Sequence, residues 1–231
     1  MYGFFIDYYY IILVIPAMLI SLWAQFKVKS TYKKYSGVRN TRGITGAYAA
    51  QAVLTHYGIR DVRIEPVSGN LTDHYDPKAK VIRLSEGVYN ATTIAAIGIA
   101  CHEAGHAAQH ANNYLPIKIR NTLVPVCNIG SRLGVPLALF GYFLGFEPLI
   151  AFGLMLYAAI TVFQLVTLPV EFNASRRAIK VIDETNLLYD DEMIGAKKVL
   201  KSAAMTYVAS MLVALASLLR LILQFSRRRN N

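Results

Sequence analysis

Hydrophobic residues in this chain come in blocks, separated by stretches where charge gathers. The first block, Phe4 to Phe26, reads FFIDYYYIILVIPAMLISLWAQF, and its one charge is Asp7. A run of that length crosses about 30 Å of hydrocarbon as a helix. Tyr8, Tyr9 and Tyr10 at one end and Trp23 near the other match the aromatic belts of a membrane interface. A secretory signal carries its basic residues before the apolar run. Here Lys27, Lys29, Lys33 and Lys34 follow it, so the block reads as an uncleaved anchor. The second block, Leu133 to Val170, carries one charge, Glu147, followed by Pro148. It divides into two crossings around a turn at Gly145-Phe146-Glu147-Pro148. The third, Ser202 to Phe225, is interrupted by Arg220 and is expected to be a further membrane helix.

Other periods occupy the polar stretches. Residues 45–57 have helical spacing, with Thr45 as cap and Gly58 as stop. Residues 61–66, 71–76 and 80–85 read as short strands, with a turn at Asp76-Pro77-Lys78. Residues 91–111 read as an Ala-rich helix, with Thr92 and Thr93 near its start and Asn112-Asn113 at its end. A helix is expected over Glu171–Glu184, starting just after Pro169. The fold expected is an α-rich integral membrane protein with a small α+β part, in which a helix packs beside a short antiparallel sheet. Five segments follow: an anchor over 1–26, a polar part over 27–120, a membrane hairpin over 121–170, a polar helix over 171–201, and a membrane helix with a basic tail over 202–231.

Composition agrees with this division. The chain of 231 residues is 55% hydrophobic and 16% charged, against about 25% charged in soluble proteins. Its mean hydropathy is +0.36. Too few polar residues remain to clothe a soluble domain of this size, and disorder is excluded. The net charge is +10, which suggests either cationic loops of a membrane protein or a nucleic-acid binder. Its placement favours the first. Lys27, Lys29, Lys33, Lys34, Arg39 and Arg42 follow the first block, and no Lys or Arg lies between Arg132 and Arg176. Positive flanks mark the cytoplasmic side. The Glu147 turn and the N-terminus are therefore expected outside, and residues 27 to about 120 and about 171 to 201 inside the cell. The basic patches read as topology signals and contacts to an anionic lipid bilayer. No zinc-finger, RNP or helix-turn-helix pattern accompanies them, so no nucleic acid is expected. Arg227, Arg228 and Arg229 run against this topology, because a spanning third block places them outside. Cys101 and Cys127 form no CxxC and are expected to stay reduced thiols.

The chemistry lies in the Ala-rich helix, which contains His102-Glu103-Ala104-Gly105-His106, an HExxH motif. Residues four apart share a helix face. Two imidazoles there can converge on one Zn²⁺ at about 2.0–2.1 Å, with the adjacent Glu103 placed to take a proton from an activated water. The competing reading is two surface histidines beside a charge. Gly105 costs about 1 kcal/mol of helix propensity, tolerable where another element approaches closely.

A catalytic zinc needs a third protein ligand and an open position. No His follows His110, and Gln109 and Asn112 stand where HExxHxxGxxH needs Gly and His. The remaining donors are Glu171, Asp183, Glu184, Asp190, Asp191 and Glu192. Glu171 lies where the membrane hairpin returns and is the expected ligand. Its competing reading is a helix-dipole partner in a first turn. The other acids read as a solvent-facing, mixed-charge stretch.

HExxH with a distant Glu is the gluzincin pattern, and in detail the chain resembles the bacterial membrane zinc metallopeptidases of the YugP type. The matching stretches are AQFKVKSTYKKYS (24–36), LTDHYDPKAKVIRLS (71–85), CHEAGHAAQH (101–110), LPVEFNASRRA (168–178) and AAMTYVA (203–209). The resemblance implies a membrane-embedded, zinc-dependent endopeptidase with a gluzincin-like core. It implies His102, His106 and Glu171 as ligands and Glu103 as base. Wider gluzincins often place an Asp four residues after the ligand Glu, to orient the first His. This chain has Ser175 there, and Asn173 is the other nearby candidate for that role.

Peptide hydrolysis also needs an electrophile for the oxyanion. Tyr207 is the candidate, against its reading as a membrane-interface tyrosine. His74, in the second strand, is a candidate substrate or oxyanion contact, against a structural role. His110 reads as a residue behind the ligands or at the surface, His56 as solvated, and Arg176 and Arg177 as topology or headgroup residues. The function expected is endopeptidase cleavage of a peptide or membrane-protein substrate at the cytoplasmic face of the cell membrane. The rival is a non-catalytic scaffold or adaptor with a structural or regulatory zinc site.

Overall fold

The computed structural model describes residues 7–229. Phe4, Phe5 and Ile6 of the first apolar block lie outside the described residues, as do the side chains of Arg227, Arg228 and Arg229. The elements are a π-helical turn Tyr10–Val14 leading into α1 (Ile15–Tyr35), α2 (Gly46–His56), β1 (Arg63–Val67), β2 (His74–Asp76) and β3 (Val81–Ser85), then α3 (Glu86–Tyr89), α4 (Ile94–Ala111), α5 (Leu115–Leu144), α6 (Glu147–Glu184) and α7 (Asp190–Arg229). Four of the described helices are long and apolar enough to cross a membrane: Tyr10–Tyr35, Leu115–Leu144, Glu147–Glu184 and Asp190–Ser226. The chain divides into two compact units.

The first unit takes Met1–Gln25, Lys118–Leu168 and Thr206–Asn231. Lipid tails are as apolar as leucine, so helices that cross a membrane are held by close packing and polar contacts rather than by exclusion of water. Helices α5 and α6 meet through small residues. A Cβ added at Gly130 would lie 2.4 Å from the Leu156 carbonyl oxygen, and one at Gly153 would lie 2.5 Å from that of Gly134. Phe225 and Leu221 of α7 pack with Ala138 of α5. Two of the three charges inside the apolar blocks answer each other. Arg220 on α7 pairs with Asp7, Nη2 to Oδ2 3.0 Å and Nε to Oδ2 3.1 Å, and both side chains are largely buried. The guanidinium also lies 5.1 Å from the Tyr10 ring centroid, while Asp7 Oδ1 accepts the Tyr10 backbone N–H at 2.7 Å.

The second unit takes Phe26–Ile117 and Pro169–Met205. Thr45 caps α2 by accepting the Tyr48 N–H, and Thr93 caps α4 by accepting that of Ala96. Helix α4 is nearly all buried, which its alanines permit. The sheet is mixed and not antiparallel as expected. Its order is β1-β3-β2, with β1 parallel to β3 (Arg63 opposite Val81) and β2 antiparallel to it (His74 opposite Arg83). The reason is burial: Val81, Ile82, Leu84 and Ser85 are fully buried, so β3 takes the centre. The hairpin turn at Asp76-Pro77-Lys78 fixes only the β2–β3 pair.

Two further expectations need correction. Helix α6 runs unbroken through Pro169 to Glu184, so Glu171 is in mid-helix rather than in a first turn. Proline removes only its own N–H, and neighbouring groups can satisfy the freed carbonyls. Glu192, expected to face solvent, is buried. It accepts the Tyr189 N–H at 3.1 Å as the third residue of α7, in the manner of a capping box. It also accepts the N–H and hydroxyl of Thr41 at 2.6 and 2.7 Å.

Candidate metal centre

Helix α4 brings His102 and His106 onto one face, their ring centroids 4.8 Å apart and their planes at 82°. Helix α6 presents Glu171 and, one turn on, Ser175. Between those two lies Ala174, whose carbonyl oxygen would be 2.7 Å from a Cβ at Gly105. The glycine inside HExxH is therefore where the two helices touch, and a side chain there would hold them apart. This close approach joins positions 69 residues apart: His102 Nε2 is 3.2 Å from Glu171 Oε2, and His106 Nε2 is 3.6 Å from the same oxygen. Glu171 is 2% exposed.

The other ring nitrogens are occupied. His102 Nδ1 lies 3.1 Å from the Ser175 hydroxyl, and His106 Nδ1 lies 3.0 Å from Gln109 Oε1. With both Nδ1 atoms hydrogen-bonded elsewhere, both Nε2 atoms face Glu171. Burial works against the charged form of His106. The neighbouring carboxylates of Glu171 and Glu103 outweigh it and hold its pKa above the ordinary histidine value.

This donor set fits zinc. Two imidazole nitrogens and one carboxylate oxygen lie within 4.8 Å of one another, and such a set is that of a catalytic zinc with an open position. Ligands about 2.0–2.1 Å from a tetrahedral ion are about 3.3–3.4 Å apart, close to the 3.2 and 3.6 Å found. Both imidazoles also have the hydrogen-bonded Nδ1 that zinc-binding histidines need. Glu103, on the same helix, is half-buried.

His74 is exposed at the start of β2, with Nδ1 2.7 Å from the Thr72 carbonyl and Nε2 3.4 Å from Arg83 Nη1. Tyr207 is half-buried on α7 and belongs to the other unit. His110 packs edge-on against Tyr75 at 5.5 Å. His56, expected to be solvated, is exposed and lies 3.4 Å from Glu184. Cys101 is fully buried, and burial raises its thiol pKa, so it is no nucleophile. Arg177, expected at headgroups, turns inward: its Nε donates to Asn173 Oδ1 at 2.8 Å and its guanidinium lies 5.5 Å from the Tyr57 ring centroid. Sequence reasoning used Gln109 only to exclude HExxHxxGxxH and gave it no part beside His106. It is fully buried and touches both ligand-bearing helices. The available signal was its spacing, three residues after His106, which puts it within reach on a helix.

The family described as "Putative neutral zinc metallopeptidase" matches residues 10–226. The chain is 48% identical over 221 residues to a Bacillus subtilis (strain 168) protein named "Putative membrane protease YugP", covering 96% of this chain and 98% of that one. No solved structure matches. A match spanning all four apolar helices and the segments that carry His102, His106 and Glu171 places this chain in that family.

Proposed function

We propose that this protein is a membrane-embedded zinc endopeptidase with a gluzincin-like core, cutting peptide bonds at the cytoplasmic side of a bacterial cell membrane. The observation that carries the reading is the convergence of His102, His106 and Glu171 with both imidazole Nδ1 atoms already engaged. Family membership and the name of the Bacillus relative support it. The cytoplasmic side rests on the lysines and arginines of residues 27–120 and 171–201.

Zinc, when bound there, supplies a Lewis acid that polarises the scissile carbonyl and makes water acidic enough to ionise near neutral pH. His102, His106 and Glu171 hold the ion, and Ser175 and Gln109 hold the two rings in register. Glu103 takes the proton of the attacking water and hands it to the leaving amine. His74 is the candidate substrate contact at the small sheet. The substrate class is a peptide or membrane protein.

The test is cleavage of a peptide library by purified, zinc-loaded wild type and Glu103→Gln. Removing a general base costs about 10²–10⁴-fold, so the variant should bind zinc normally and cleave at least about 100-fold more slowly. Equal cleavage by both would sink the mechanism. Zinc binding with no cleavage by wild type would favour a scaffold with a structural zinc.

A further inference from the structure

One residue ties the two ligand-bearing helices together, and its polarity is set from a distance. Gln109 lies fully buried on α4, one turn beyond His106. Its Nε2 donates to the Val170 carbonyl of α6 at 2.7 Å and to Asn173 Oδ1 at 3.1 Å. Its Oε1 faces His106 Nδ1 at 3.0 Å. Asn173 Oδ1 also receives the Nε–H of Arg177 at 2.8 Å.

These four contacts leave one consistent arrangement. Arginine has only donors, so the atom it meets on Asn173 must be the amide oxygen. That oxygen and the Val170 carbonyl can only accept, so the end of Gln109 facing them must be its NH₂. The Gln109 carbonyl must then face His106, and His106 Nδ1 must be the donor. A neutral imidazole with its proton on Nδ1 has its lone pair on Nε2, the atom 3.6 Å from Glu171 Oε2. The direction runs from Arg177 through Asn173 and Gln109 to the ligand nitrogen.

We propose that Gln109 is a positioning residue for the metal centre: it fixes the Nδ1-protonated tautomer of His106 and holds that ring against the Glu171 helix, with Arg177 and Asn173 setting the sense of its amide. This rests on the reading of His102, His106 and Glu171 as a zinc site. A carboxylate usually serves behind a zinc-binding histidine, but a carbonyl can also do so. Here a neutral amide takes that place. It orients the ring without adding a further charge to a site that already holds Glu171 and Glu103.

The experiment measures zinc affinity by chelator competition in detergent-solubilised full-length protein, for wild type, Gln109→Leu and Arg177→Met. Proton exchange at His106 Nδ1 is followed in the zinc-loaded, ¹⁵N-histidine-labelled proteins. Loss of such a partner weakens metal binding about 10–100-fold. Gln109→Leu should show that loss, together with fast exchange of an Nδ1 proton that exchanges slowly in wild type. Arg177→Met should speed the exchange with a smaller loss of affinity. Should Gln109→Leu fail to fold, Arg177→Met decides, and unchanged exchange there overturns the proposal. Wild-type affinity and slow exchange in a folded Gln109→Leu would overturn it too, leaving the zinc site standing. Wild type that binds no zinc would instead bring down the metal reading itself.

Discussion

Gly105 of α4 and Ala174 of α6 meet backbone to backbone: a Cβ on the glycine would lie 2.7 Å from the alanine carbonyl oxygen. Ala174 sits between Glu171 and Ser175, so this contact sets how near the histidine helix comes to the glutamate helix. Alanine in a helix is favoured over glycine by about 1 kcal/mol, yet here the gain is local and the clash is with backbone. Gly105→Ala should lower both the melting temperature and the zinc affinity. A variant as stable as wild type with unchanged zinc binding would show that the helices are not held at this distance.

Ser175 is the hydroxyl behind His102, at 3.1 Å from Nδ1. Ser175→Ala removes the partner and should weaken zinc binding about tenfold, the low end for such groups. Ser175→Asp supplies a charged acceptor at the same place and should bind zinc more tightly than Ser175→Ala. Chelator competition on the pair checks the order, and the reverse ranking would exclude Ser175 as the orienting group.

The pH response should change sign with metal. Without metal, the His106 pKa is raised. A raised folded-state pKa adds stability that is present below the unfolded value and fades as pH rises through the folded one. Zinc must displace that proton, so its affinity should fall as pH drops through the raised pKa, by about tenfold per pH unit for one proton displaced. Zinc titrations and melting curves across the neutral range test both halves. Affinity independent of pH would show that His106 is not a ligand.

Asp7 and Arg220 form a largely buried pair among apolar helices. Removing one partner of such a pair costs about 3–5 kcal/mol, whereas replacing both by apolar residues is often neutral. Arg220→Leu should therefore be strongly destabilised in detergent, and Asp7→Leu with Arg220→Leu should recover most of the loss. Recovery should stop short by about 1 kcal/mol, because Asp7 also caps the Tyr10 N–H. Additive losses in the double variant would mean that the two charges act independently.

Much of this molecule is legible in order along the chain, because the signals are local. Thr45 and Thr93 read as caps since a hydroxyl reaches an N–H three residues on, whatever the rest of the fold does. The apolar blocks read as membrane helices because length and composition alone decide whether a segment can cross. HExxH reads as a paired histidine face because helical spacing puts residues four apart together. The direction of β1, the passage of α6 through Pro169 and the burial of Glu192 were misread. Each depends on what packs against the segment, and that neighbour is distant in sequence.

The third donor marks the boundary. Read along the chain, HExxH puts His102 and His106 on one helix face, and Glu171 is the expected partner among the acids of residues 171–192. What the sequence could not give is the approach itself: helix packing draws Glu171 to 3.2 and 3.6 Å from the two Nε2 atoms, while Glu192 caps α7 and Glu184 meets His56. The tertiary structure also revealed Gln109, whose role exists only once its amide finds Val170 and Asn173 on another helix. The physical reason is range: helix periodicity and capping act over about four residues, whereas a ligand set closes through packing of helices whose contacts no local pattern encodes.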